Sequence, residues 1–172
     1  MRTRTKFTAP CAVAAVSAVS LVGVPAAHAN IADEPIINEF VTDTQGVDML
    51  EYVEVLVPEN YDTSDLHIVG IEGDNNSNQG TAVHAYSLGD LAVDEDGRLL
   101  LTTDVNGLQN AALTLALTNG EVSTGTALDE NLDGELEAPE GVEILDVVGI
   151  NDGRSGAMAW GTELSANQFD GY

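Results

Sequence analysis

The chain has 172 residues, with 5 basic against 29 acidic side chains and a formal net charge of −24. That balance excludes a sequence-independent grip on nucleic acid, which needs Lys and Arg to neutralise phosphates, and adsorption to an anionic membrane. Hydrophobic residues make up 44%, enough for a packed core rather than a disordered tail.

The chain opens with Arg2, Arg4 and Lys6, followed by an apolar run from Cys11 to Val24. Pro25 and the tripeptide Ala27-His28-Ala29 come next, a small-residue cleavage signature. The apolar run has 14 residues, short of the roughly 20 that span a bilayer. Together these features predict a signal peptide over 1–29 and a secreted, extracellular mature chain. Cleavage removes three of the five basic residues and no acidic one, leaving Arg98 and Arg154 against 29 carboxylates. It also removes Cys11, the only cysteine, so the mature chain has no disulfide to draw on. At 143 residues (172 minus 29) it can bury about two-thirds of its unfolded surface without one. No later segment is apolar enough for membrane insertion.

After a polar lead-in at 30–35, short β-type runs alternate with turn clusters. Strands are predicted near 36–42, 51–57, 65–72, 81–88, 98–103, 111–118 and 142–150, with a weaker one at 157–161. Val53, Val55 and Val57 fall on one face of their run, and Leu113, Leu115 and Leu117 on one face of theirs. Val53, Val55, Leu113, Leu115 and Leu117 are expected in the core, with Thr114, Ala116 and Thr118 on the opposite side of their run. The Ala and Leu content of 111–118 leaves a helix as the alternative there. Gly73–Gly80, Asp94–Gly97 and Asn119-Gly120 are read as turns. The count and spacing of strands predict one all-β domain over 30–172, an antiparallel β-sandwich.

Several segments in this order resemble the lamin tail domain family, in the form found in front of secreted bacterial endonucleases. They are Ile37-Asn38-Glu39-Phe40, Glu51-Tyr52-Val53-Glu54-Val55, Asp65-Leu66, Asn106-Gly107-Leu108-Gln109-Asn110 and Val142–Val148. The resemblance covers about 36–160. It implies an immunoglobulin-like sandwich of about seven to eight strands and no catalytic activity within the domain, since nuclease members carry theirs in a separate, larger domain. Two departures stand out: His67 where many members have Trp, and an acidic insertion over about 121–141.

That insertion contains the calcium-loop pattern D-x-[DN]-x-[DN]-G-x5-E, running from Asp129 to Glu140. Oxygens of Asp129, Asn131 and Asp133 would converge because Gly134 permits the sharp turn. The carbonyl of Glu135, Glu137 directly or through water, and the carboxylate of Glu140 would complete an all-oxygen shell for Ca²⁺. The flanks are wrong for an EF-hand, with no helix over 120–126 and Pro139 at the exit. The alternative is a solvated acidic loop in a chain that is acidic throughout. Asp74–Asn78 and Asp94–Gly97 are read as polar turns rather than metal sites. His67 and His84 would supply only two ligands if they met across strands, too few for zinc. Glu51 and Glu54 are two carboxylates among 29, so their proximity in sequence carries no catalytic argument. Trp160, Tyr52, Tyr61 and Tyr86 read as core residues more readily than as a sugar-stacking surface.

The sequence is thus expected to encode a secreted, non-catalytic binding or scaffolding module with calcium as its one implied cofactor. Its partner would be an extracellular protein or polysaccharide, not nucleic acid or a membrane. The alternatives are an accessory N-terminal module of a secreted nuclease or phosphatase, suggested by the strand-like stretch Phe169–Tyr172, and an extracellular matrix protein.

Overall fold

The computed structural model describes residues 33–42, 51–104, 107–108 and 112–165. The expected signal peptide, Asn106, Gln109 and Asn110 of the fourth resembling segment, and Phe169–Tyr172 lie outside these residues. Eight strands occur among them: β1 (Ile36–Val41), β2 (Tyr52–Leu56), β3 (Leu66–Glu72), β4 (Ala82–Ser87), β5 (Arg98–Thr102), β6 (Leu113–Asn119), β7 (Glu143–Asn151) and β8 (Thr162–Ser165). They form a three-stranded sheet, β1-β2-β5, and a five-stranded sheet, β4-β3-β6-β7-β8. The protein is an all-β, two-sheet sandwich.

Every pairing is antiparallel except β7 with β8, which is parallel. A parallel neighbour needs a crossover rather than a tight hairpin. Residues 152–161 are that crossover, so the weak strand expected at 157–161 lies instead at Thr162–Ser165. The described part of the 111–118 segment, residues 112–118, is no helix. Its alternating pattern puts it in β6, the middle strand of the five-stranded sheet.

Between the sheets, Val53, Val55, Val57, Leu99 and Leu101 meet Leu66, Ile68, Leu113, Leu115 and Leu117. All are buried, and the five core residues expected from β2 and β6 are fully so. Burying each such side chain is worth about 1.5–3 kcal/mol. On one flank the Ile37 N–H donates to Asp146 Oδ2 at 2.8 Å and ties β1 to β7. On the other, β5 is an edge strand with Leu100 51% exposed.

The far side of the five-stranded sheet differs from expectation. Thr114, Ala116 and Thr118 are buried as well. A third layer, built from residues 120–142 and the crossover, covers this outer face. Val69, Ile71, Ala82 and Ala116 of the sheet pack there with Val122, Leu128 and Trp160. The insertion is therefore acidic on one side only. Its other side supplies a second, smaller core.

Candidate metal centre

The loop from Asp129 to Glu140 begins at the sheet rather than in solvent. Leu128 N and Asp129 N both donate to Gly80 O, at 2.8 and 3.1 Å, and Ala127 bridges to Thr81. These bonds align the segment antiparallel to the start of β4 and point Asp129 inward, where it is 0% exposed. Its carboxylate is the centre of the turn. Oδ1 accepts from Asp133 N at 3.1 Å, and Oδ2 accepts from Gly134 N at 3.0 Å and from the Trp160 indole Nε1–H at 2.8 Å. Such N–H···carboxylate bonds are the strong kind, because the acceptor is ionised.

The rest of the turn winds around it. Asn131 Oδ1 also accepts from Asp133 N at 3.1 Å, and Asp133 Oδ1 accepts from Glu135 N at 3.0 Å. Asn131 Nδ2 donates to Asp133 Oδ2 at 2.9 Å. Gly134 has φ +90°, a left-handed conformation that a side chain rarely adopts. Farther on, Glu137 N donates to Leu128 O at 2.6 Å and Val142 N to Pro139 O at 3.0 Å. Asn131, Asp133, Glu135, Glu137 and Glu140 are exposed. The structure thus brings Asp129, Asn131 and Asp133 into one turn. Among the described residues, no three His, Cys, Asp or Glu side chains are gathered closely enough to hold a metal ion. Asp129 Oδ2 already accepts two hydrogen bonds, whereas Oδ1 accepts one and keeps a free lone pair.

The other candidates are spent on structure. Asp94 Oδ1 accepts from Asp96 N and Arg98 N, both at 2.9 Å. The Arg98 N–H holds that carboxyl below its usual range. In the 74–78 loop, Asn76 Oδ1 accepts from Asn78 N at 2.7 Å and Asp74 lies 3.5 Å from Arg154. His67 pairs with Ser87 and His84 with Gly70. His84, on β4, lies opposite Gly70, three positions along β3 from His67, so the two histidines occupy opposite faces and form no zinc pair. Trp160 is buried, Tyr61 and Tyr86 pack against the inner core, and Tyr52 hydrogen-bonds Glu39. Two polar clefts are present. One, of about 210 Å³, is lined by Tyr61, Asp62, Ser64, Asp65 and Asn119; the other, of about 290 Å³, by Asp74, Asn75, Asn76, Arg154 and Ser155.

Sequence reasoning missed the burial of three acids, Glu51, Glu72 and Asp129. Glu51 is 1% exposed; its Oε2 accepts from Leu108 N at 2.7 Å and Thr103 Oγ1 at 3.1 Å, pinning the turn after β5 to the start of β2. A signal existed, since period 2 places position 51 on the same face as Val53 and Val55. The Asp129–Trp160 bond spans 31 positions and had no local signal. Comparison with known proteins gives no match: no family model, no curated protein and no solved structure matches this chain.

Proposed function

We propose that the chain is a secreted, non-catalytic binding or scaffolding module of the lamin tail type, on an immunoglobulin-like sandwich, whose acidic segment takes up calcium. The lamin-tail reading draws support from where the resembling segments fall: in β1, in β2 and the residue before it, at the start of β3, and in β7. The calcium reading is carried by one observation, the prewound Asp129–Gly134 turn with a lone pair of Asp129 Oδ1 still open. In that reading Asp129, through Oδ1 alone, joins Asn131, Asp133 and Glu140 as side-chain ligands. Glu135 adds its carbonyl, and Glu137 binds directly or through water. The Asn131–Asp133 side-chain bond gives way to the ion. A divalent cation relieves the mutual repulsion of these carboxylates and part of the general repulsion of so acidic a chain. The partner is an extracellular protein or polysaccharide.

A thermal melt in calcium against chelator, at matched ionic strength, tests the cofactor. Extracellular modules bind calcium at about 0.1–1 mM, and tenfold saturation stabilises a fold by roughly 1.4 kcal/mol. That increment is expected for calcium and not for magnesium, and it should vanish in Asp133→Asn/Glu140→Gln. Both positions are exposed, so the variant keeps its fold. An equal increment with magnesium, or one that survives in the double variant, would leave the loop as a solvated acidic turn.

A further inference from the structure

Residues 120–142 are fastened to the molecule in an uneven way. Their two ends touch. A side chain at Gly120 would meet Gly141 O at 3.1 Å and Val142 Cα at 3.2 Å. Both glycines have positive φ, +111° and +83°, so the chain turns sharply out of β6 and back into β7. Between these points only Val122, Leu128 and Asp129 are buried. The apolar anchorage is small for the length of chain held in place, whose ordering costs entropy at every residue.

Polar contacts make up the difference, and they cluster. Gly125 N donates to Ala82 O, Ala82 N to Thr126 O, and Leu128 N and Asp129 N to Gly80 O. All lie along the start of β4. One bond reaches across the sheet: Trp160 Nε1 to Asp129 Oδ2, 2.8 Å, between two buried groups. Trp160 is itself fixed by its backbone N–H to Thr114 Oγ1 at 3.1 Å.

We propose that residues 121–140 open and close on the five-stranded sheet as one unit, a strap hinged at Gly120 and Gly141 and latched by the Asp129–Trp160 hydrogen bond. Opening bares the outer apolar face and frees the Trp160 ring, while the two-sheet core stays folded. Proteins open in cooperative pieces of unequal stability, and a piece with few buried contacts opens first. β6, buried on both faces, opens last. This device is independent of whether calcium binds.

Amide hydrogen exchange on the full chain, in chelator, tests it. The amides of Gly125, Leu128, Asp129 and Ala82 are expected to exchange at one common rate, at least about tenfold faster than those of β6. Trp160→Phe keeps the ring and removes the latching N–H. It should raise the strap rates by about 10- to 100-fold, the factor of a lost hydrogen bond to a charged group. Asp129→Asn, which keeps the side-chain shape, should act in the same direction. Strap amides that exchange no faster than β6 overturn the proposal. So does a latch variant that leaves the strap rates unchanged. If either variant fails to fold, the comparison of strap with β6 in the parent protein decides alone. Because chelator is present throughout, a negative result here says nothing against the calcium melt, and the reverse.

Discussion

The two faces of the five-stranded sheet are both buried, by different means. On the inner face, strand meets strand. Pleat alternation delivers Leu113, Leu115 and Leu117 to the valines of β2 and the leucines of β5, and the backbone polar groups are consumed by the ladders. On the outer face, a sheet meets irregular chain. Such chain must find partners for each N–H and C=O it brings over apolar surface, and it does so by bonding to the start of β4 and by tying Asp129 to Trp160. A regular layer brings its own hydrogen bonds; an irregular one depends on a few specific polar contacts.

The largest expected effect breaks the inner face. Leu115→Ala removes a fully buried side chain between the sheets and should cost about 2–5 kcal/mol, with loss of all structure in a single transition. An unchanged melting temperature would show that the sheets do not pack through this residue. A middle effect falls on the outer face. Trp160→Phe should cost about 1.5–3 kcal/mol, the worth of a hydrogen bond to a charged acceptor, measured by denaturant melts. A cost below about 0.5 kcal/mol, the range of a neutral surface change, would make the Asp129 contact incidental.

The smallest effect belongs to the polar end of the inner face. His84 lies half-buried over Gly70, its ring stacked on Tyr86 at 6.3 Å between centroids. Burial pushes the imidazole below its ordinary range, with Glu51 and Glu72 pulling weakly the other way. The folded protein therefore holds this proton less tightly than the unfolded chain. The stabilising share is full above the unfolded value of about 6.5 and is lost as pH falls through the lower folded value. His84→Gln should flatten the fall in melting temperature from about pH 7 to about pH 5 relative to the parent. Identical pH curves would mean that the ring is solvated.

The inner face was legible in the sequence and the outer one was not, for a physical reason. Period 2 in β2 and β6 is a local signal set by backbone geometry, and it named Val53, Val55, Leu113, Leu115 and Leu117 correctly. The same rule assigned Thr114, Ala116 and Thr118 to the far side, yet it cannot say what covers that side. Val122 and Leu128 are isolated apolar residues in an acidic stretch, with no period to mark them. The turn around Asp129 was legible as a motif, because the oxygens and Gly134 sit at fixed spacing. Its burial beneath Trp160 was not, because the two residues meet only after β7 and the crossover are in place. β8 was displaced from its expected position for a related cause: Trp160 makes 157–161 look strand-like, but its ring serves the third layer.

Among the described residues neither sheet closes on itself, and β5 has no strand on its outer side, with Leu100 facing outward. A bare strand edge is a template on which a second copy can add. The −24 formal charge opposes that approach by keeping copies apart in dilute medium, where electrostatic reach is about 30 Å, and far less in brine, where it shrinks to about 3 Å. Colloidal stability in this protein is thus a property of its surroundings as much as of its fold. Light scattering should rise as sodium chloride is raised toward about 1 M; a flat trace would place the protection of β5 in the strand itself.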